Sequence, residues 1–265
     1  MIDALYIGAT GMQAQQLNVD TIANNLANLN TPSFKKGRVG FADLMLAESA
    51  RVRQPTADEL RAGVMTGPQR MGAGVAVASV SRIFDAGEMK KTEAPMDLAI
   101  QGEGFIEVSM PDGSRTFTRG GTLKINRDGL LSTHAGHPLK ATITVPEGAQ
   151  SLAIAADGKV LARVANQSTP VELGQIELVR FASPGQLTPL GGNLYRATEG
   201  SGEAVAGRPG EDGLGTLAQG FLEGSNVKMV EEMVGLMVAQ RAYEASVKIV
   251  QASDEMLGMI NNLRK

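Results

Sequence analysis

The chain has 265 residues, 43% of them hydrophobic and only 4% aromatic, with no Trp and a formal net charge of −3. That length holds one large or two modest domains, and the composition calls for a core made mainly of aliphatic side chains. The lack of Cys excludes disulfides and thiolate metal sites, and the slight acidity disfavours nucleic-acid binding through phosphate neutralisation.

Residues 2–29 read as one helix. Ile2, Leu5, Ala9, Met12, Val19, Ala23 and Leu26 follow a 3-4 alternation that only Gln16 interrupts. An apolar period of 3.5 residues marks a helix whose seam faces another helix. Gly8 and Gly11 each weaken it by roughly 1 kcal/mol relative to Ala. The predicted stop is Asn28-Leu-Asn-Thr-Pro32, where Asn accepts a helix-end conformation and Pro keeps its predecessor out of the α region. The first Lys is Lys35 and polar residues break the apolar stretch, so this end does not read as a cleaved secretory signal. The expected location is cytoplasmic, or outside the membrane by a route needing no such signal. No apolar run approaches the ~20 residues of a membrane span, so membrane insertion is not expected.

Phe41, Leu44 and Met45 predict a short helix within 41–62. Gly63, Gly67-Pro68, Gly72 and Gly74 predict an extended or irregular course over 63–80. From Met96 the pattern becomes strand-like. Asp112-Gly113, Asp128-Gly129 and Asp157-Gly158 separate short runs of β-forming residues, and Asp-Gly between apolar runs is a hairpin signal. The predicted strands are 105–108, 116–118, 123–125, 142–145, 160–164 and 176–181. Residues 199–216, rich in Gly, Glu and Pro, predict a loop.

Ser225 or Asn226 is the expected cap of a last helix of about 37 residues, roughly 55 Å long, with Glu231 and Glu232 near its positive end. Its seam is Met229, Met233, Leu236, Tyr243, Val247, Val250 and Leu257, with Gln240, Asp254 and Asn261 at the polar positions of the same repeat. The expected fold class is therefore α+β: long N- and C-terminal coiled-coil-forming helices enclosing an all-β middle domain. The expected division is 1–34 with 225–265 as the terminal helical domain, 35–95 an extended arm, 96–199 the β-rich domain and 200–224 a return linker.

Motifs for chemistry are weak. His134 and His137 lack further ligands at recognisable spacing and read as a turn. Gly72-Ala-Gly74 opens no βαβ unit, and no Walker A, Gly-x-Ser-x-Gly or His-Glu-x-x-His pattern occurs. No catalytic, cofactor-binding or metal-binding residue is assigned.

Asn24-Asn25-Leu26-Ala-Asn28-Leu-Asn-Thr31-Pro32-Ser-Phe34-Lys35 closely resembles the N-terminal signature of the bacterial flagellar rod and hook family. Gln240-Arg241-Ala242-Tyr243-Glu-Ala, followed by Asp254-Glu-Met-Leu257, resembles its C-terminal signature. Gln101-Gly-Glu-Gly-Phe105 and Gly220-Phe-Leu-Glu-Gly-Ser-Asn-Val227 are similar to its internal landmarks. Ser33 stands where the family commonly carries Gly. Residues 46–75 resemble an extra stretch of the distal rod type, and a hook-type chain is usually longer.

The resemblance implies a non-enzymatic structural subunit without cofactor. It would be exported by the flagellar type III apparatus and polymerise helically into a hollow, straight shaft crossing the periplasm and carrying torque from motor to hook. The implied partners are further copies of the chain, proximal rod proteins, the hook protein and the P and L ring proteins. The seam residues named above, with Ile2, Leu5, Ala9, Met12, Val19 and Leu26, are the expected self-assembly interface. Within the family the alternative is a proximal rod or hook-type protein. From other classes two readings compete: a wall-cleaving enzyme, which needs paired carboxylates in a cleft, and a soluble β-domain cell-wall adaptor, which leaves the helical seams unexplained.

Overall fold

The computed structural model describes residues 2–46, 71–164 and 169–263. An N-terminal helix, α1 (Ile2–Ala27), and a C-terminal helix, α2 (Met229–Leu263), flank a β-rich middle, giving the expected α+β order. α1 ends where Asn28 donates its N–H to both Asn24 O and Asn25 O, at 3.2 and 3.1 Å. The 35 residues of α2 make a rod of about 52 Å. Its first turn carries Glu231 and Glu232, the favourable sign for a helix start.

The chain divides into two compact units. The first comprises residues 1–23, 38–80 and 230–265. It contains most of both helices and a two-stranded sheet of β1 (Gly37–Leu46) and β2 (Met71–Arg82). The short helix expected around Phe41 is a strand instead. Phe41, Asp43 and Met45 are exposed while Ala42 and Leu44 are half-buried, so the residues follow a period of two. The spacing of Phe41, Leu44 and Met45 fits a helix equally well over so short a run, and pairing with β2 decides the outcome. Residues 47–70, and with them most of the stretch expected to resemble the distal rod type, lie outside the described residues.

The second unit comprises residues 24–37 and 81–229. Its hairpins fall where the Asp-Gly pairs predict them. Asp112-Gly113 joins β5 (Phe105–Ser109) to β6 (Arg115–Thr118). Asp128-Gly129 joins β7 (Gly120–Ile125) to β8 (Leu131–Thr133), and Asp157-Gly158 joins β9 (Ala149–Ile154) to β10 (Lys159–Val164). Each of these glycines has φ between 75° and 88°, the left-handed region.

With β12 (Leu178–Arg180), β13 (Thr188–Gly191), β14 (Leu194–Arg196) and β15 (Val205–Gly207), an antiparallel sheet forms in the order β13-β14-β6-β5-β12-β15. A second sheet runs β16 (Thr216–Gln219), β4 (Asp97–Gln101), β7, β8, and a third runs β11 (Val171–Gln175), β10, β9. β17 (Phe221–Glu223) pairs with β3 (Met89–Lys91).

Three expectations need correcting. Residues 142–145 make only the isolated bridge Leu130–Thr144, because Thr142 takes φ 41° and breaks the extended run, although Ile143 and Val145 are still buried. Residues 200–224 are not a plain linker, since they supply β15, β16 and β17. Neither Ser225 nor Asn226 stands immediately before α2, which begins at Met229; Asn226 is engaged elsewhere, as described below.

The aliphatic core includes Leu98, Ile100, Ile106, Val108, Leu131, Val160, Ile176 and Leu178. On the other face of β5 and β12, Phe105 and Val179 join Phe117, Phe181, Leu187 and Tyr195, with Phe84 packed against them. The few aromatics are thus concentrated rather than spread. Phe84, Phe105, Phe117, Phe181 and Tyr195 meet edge to face, at centroid distances from 4.8 to 6.3 Å. Both faces of the six-stranded sheet are covered, so β5 and β12 show no clean apolar-polar alternation in sequence.

Candidate assembly site

Two features stand out: the outer surface of α2, and a buried ionic clasp within the second unit.

Inside the first unit the two helices pack antiparallel. A Cβ on Gly8 would lie 2.7 Å from Val250, one on Gly11 would lie 3.2 Å from Ser246, and one on Gly235 would lie 3.5 Å from Ile22. Gly8 and Gly11, weak points for an isolated helix, are positions where the partner helix leaves little room for a Cβ. The facing side of α2 is lined by small residues, with Ala239 and Ser253 buried. Ser246 and Ser253 donate their hydroxyls to Ala242 O and Ile249 O, at 3.0 and 2.8 Å, which satisfies them within the helix.

The sequence-predicted seam is only partly used in this pair. Val250 meets the Gly8 position. Leu5, Met12, Val19, Leu26, Leu236, Val247 and Leu257 are half-buried, while Ala9, Met229, Met233 and Tyr243 are exposed. The side chain of Ile2 lies outside the described residues. Of the C-terminal signature, Ala242 is half-buried and Gln240 and Arg241 are exposed.

Over residues 230–238 the outer side of α2 is apolar as well. Val230, Met233, Val234, Met237 and Val238 are 49–74% exposed, at the i, i+3, i+4, i+7, i+8 spacing of one helix face. At about 100° per residue, Val230 and the buried Ala239 point in opposite directions. Farther along, Ile249, Met256, Met259 and Ile260 are also 43–59% exposed. A helix apolar on opposite sides needs a neighbour on each.

The clasp centres on Glu223, which is 1% exposed. Lys35, fully buried, places its Nζ 2.6 Å from Glu223 Oε1 and also donates to Asp85 O at 2.7 Å. The Gly87 N–H donates to the same Oε1 at 2.9 Å. Arg119 Nε lies 3.3 Å from Oε2, and its two terminal nitrogens donate to the carbonyls of Gly104 and Gly102, each at 2.8 Å. Close approach of the backbone makes the site possible: a Cβ on Gly87 would sit 2.0 Å from Gly224 O.

Burial alone would raise the Glu223 carboxyl, but Arg119, Lys35 and the hydrogen bonds from Lys35 and Gly87 outweigh it and hold the group below its ordinary range. Burial pushes the Lys35 ammonium down, and the attraction of Glu223 only partly offsets this. One carboxylate between two cations explains why the acid is favoured in its charged form while the lysine is not.

Neighbouring bonds extend the clasp. Ser33 N–H donates to Glu223 O at 2.7 Å, and Lys36 N–H to Asn226 Oδ1 at 2.8 Å. Asn226 Nδ2 donates to Ile83 O at 2.8 Å. Asn25 both accepts from Gly37 N–H and donates to Gly37 O, at 2.8 and 2.9 Å. Thr31 donates to Asn28 Oδ1, Asn28 Nδ2 donates to Asn24 O, and Asn193 donates to Pro32 O. Arg82 lies over the Phe34 ring, 5.1 Å from its centroid, and donates to Lys35 O.

Three sequence landmarks therefore converge here: Asn24–Lys35, Gln101–Phe105 and Gly220–Val227. Lys35 and Glu223 lie inside those landmarks without having been singled out. Arg119 and Gly87 gave no signal of their own, since their partners are distant in sequence. His134 and His137, by contrast, lie in a tight turn closed by Thr133 N–H to His137 O at 2.9 Å.

Ser33 is the misfit in the clasp. It has φ 58°, is 1% exposed, and its hydroxyl has no hydrogen-bond partner among the described residues. Ser33→Gly removes both the left-handed strain and the unsatisfied hydroxyl, against the greater chain entropy of Gly. The expected net gain is about 1 kcal/mol, a rise in Tm of roughly 2–4 °C, read by thermal melting. An unchanged or lower Tm would show that the serine is accommodated without cost.

Three family models match the chain. That for the C-terminal region of flagellar basal body rod FlgEFG proteins covers residues 218–263. That for the D1 domain of flagellar hook protein FlgE/F/G covers 99–162, and that for flagella basal body rod proteins covers 5–35. The chain is similar to the flagellar basal-body rod protein FlgG of Borreliella burgdorferi, 45% identical over 267 residues spanning 100% of both chains. It is 40% identical over 263 residues to FlgG of Caulobacter vibrioides, covering 99% of this chain and 100% of that one. To the rod protein FlgF of the same organism it is 33% identical over 272 residues, covering 98% and 100%.

Proposed function

This chain belongs to the flagellar basal-body rod protein family, and on that premise we propose that it polymerises helically into the distal rod, a hollow, straight shaft carrying torque from motor to hook. It is a structural subunit of the flagellar basal body, most like the distal rod type. The observation that carries this reading is the likeness over the full chain to proteins named FlgG. Within one organism, Caulobacter vibrioides, the identity is higher to FlgG than to FlgF. That favours the distal rod over a proximal rod position.

The terminal helices supply the assembly surface in this reading. The seam residues left half-buried or exposed, and the apolar outer side of α2, would pack against helices of neighbouring copies in coiled-coil fashion. The proximal rod proteins and the hook protein would contact the two ends of the polymer, and the P and L ring proteins would surround it where it crosses the periplasm. The flagellar type III apparatus would export the subunits. The task is mechanical, with no reaction and no cofactor. Residues 46–75 would help to keep the shaft straight.

The test is a strain lacking this chain. Its basal bodies should stop at the proximal rod, carry no hook and regain both on complementation with the intact gene, as seen in electron micrographs. Basal bodies with full-length rods and hooks in that strain would overturn the assignment.

A further inference from the structure

The outer side of α2 is rich in one oxidisable side chain. Met229, Met233 and Met237 stand at i, i+4 and i+8, each 49–54% exposed, and Met256 and Met259 follow at 43% and 59%. The residues between them on this face, Val230, Val234 and Val238, cannot be oxidised under mild conditions. We propose that this methionine row is an oxidative modification site, at which sulfoxidation of the free subunit by a peroxide blocks its entry into the polymer. The proposal rests on the reading of this face as an interface between copies.

The chemistry is an oxygen-atom transfer. The thioether sulfur attacks one peroxide oxygen, the O–O bond breaks and an S–O bond forms. Sulfur loses two electrons, and the departing oxygen takes up a proton and leaves as water. The product is polar and chiral where the parent side chain is apolar and flexible. A sulfoxide held against Val and Met of a neighbour has its oxygen buried without a donor, which opposes packing. Susceptibility follows exposure, so the same sulfurs are reactive in the free chain and shielded once covered. The modification is reversible by a thiol-dependent sulfoxide reductase.

The experiment uses the full chain and isolated rods. Free subunits and rods are treated with hydrogen peroxide and the sulfoxides mapped by mass spectrometry; labelled subunits, treated or not, are then offered to rod fragments. Met229, Met233 and Met237 are expected to oxidise at least about tenfold more slowly in rods, and treated subunits to incorporate at least about tenfold less. Incorporation should return after reductase treatment. It should also survive peroxide in the variant Met229→Leu/Met233→Leu/Met237→Leu. Equal incorporation of oxidised and untreated wild type would overturn the proposal, as would equal sensitivity of the Leu variant. Untreated Met233→Asp separates the two layers: if it incorporates normally, the face is not an interface and the reading beneath the proposal falls. If it fails while oxidised wild type succeeds, only the oxidation proposal falls.

Discussion

Glu223→Ala is expected to destabilise the β-rich unit by about 3–5 kcal/mol, lowering its Tm by roughly 10 °C or more. The carboxylate stands between Lys35 and Arg119 with almost no solvent access. Its removal leaves two buried cations facing each other and the Gly87 N–H without its acceptor. Loss of one attractive pair is the smaller part of the effect; an uncompensated buried charge is the larger. Lys35→Met should cost less, because Glu223 keeps Arg119 and the Gly87 N–H, and because burial already disfavours the lysine's charge.

The order of the two variants is the discriminating result, measured by denaturant unfolding at pH 7. A cost below about 1 kcal/mol for Glu223→Ala would mean that water enters and solvates the cations. The pH dependence follows from the same geometry. The folded carboxyl lies below its unfolded value of 4.5, so its contribution is complete above that pH. It is lost as the pH falls through the folded value. Between neutrality and acid, wild type should therefore lose stability relative to Glu223→Ala, and the gap between them should close.

The same site shows what a sequence discloses. Period-3.5 apolar repeats and Asp-Gly turns are local patterns, and both helices and three hairpins stand where they place them. The clasp is assembled from positions up to 188 residues apart, and nothing in the neighbourhood of Arg119 records that Gly102 and Gly104 will turn their carbonyls toward it. Resemblance to a family could mark the stretches holding Lys35 and Glu223, but not the ion pair between them.

Where local patterns fail, tertiary pairing is the reason. Phe41, Leu44 and Met45 suit a helix until β2 offers a ladder. Ile143 and Val145 read as a strand, and Thr142 with φ 41° turns them into buried anchors of a loop. The seam prediction treats each terminal helix as having one apolar face. α2 has two, one filled by α1 at Gly8 and Gly11 and the other left exposed among the described residues.

The largest functional effect is expected on that second face. Val234→Asp is expected to abolish rod formation and motility while shifting the Tm of the purified subunit by no more than about 2 °C. Val234 is 49% exposed in the middle of the row from Val230 to Val238, so a charge there meets water in the free chain. Surface substitutions of this kind alter stability by about 0.5 kcal/mol or less. In the polymer the same carboxylate would face apolar side chains of another copy with no partner. The desolvation of an unpaired charge opposes association by several kcal/mol, at least about a hundredfold in affinity at every contact. Val234→Lys should fail equally, which separates desolvation from a specific repulsion by Glu231. Ala239→Asp, on the buried side, should instead lower the Tm, because its charge enters the contact with α1. Leu26→Asp and Leu257→Asp, at half-buried seam positions, should combine both effects. Normal rods in a Val234→Asp strain, with the mutant protein present at wild-type level, would place the contacts between copies elsewhere, most directly on the exposed Phe41 and Met45 of β1.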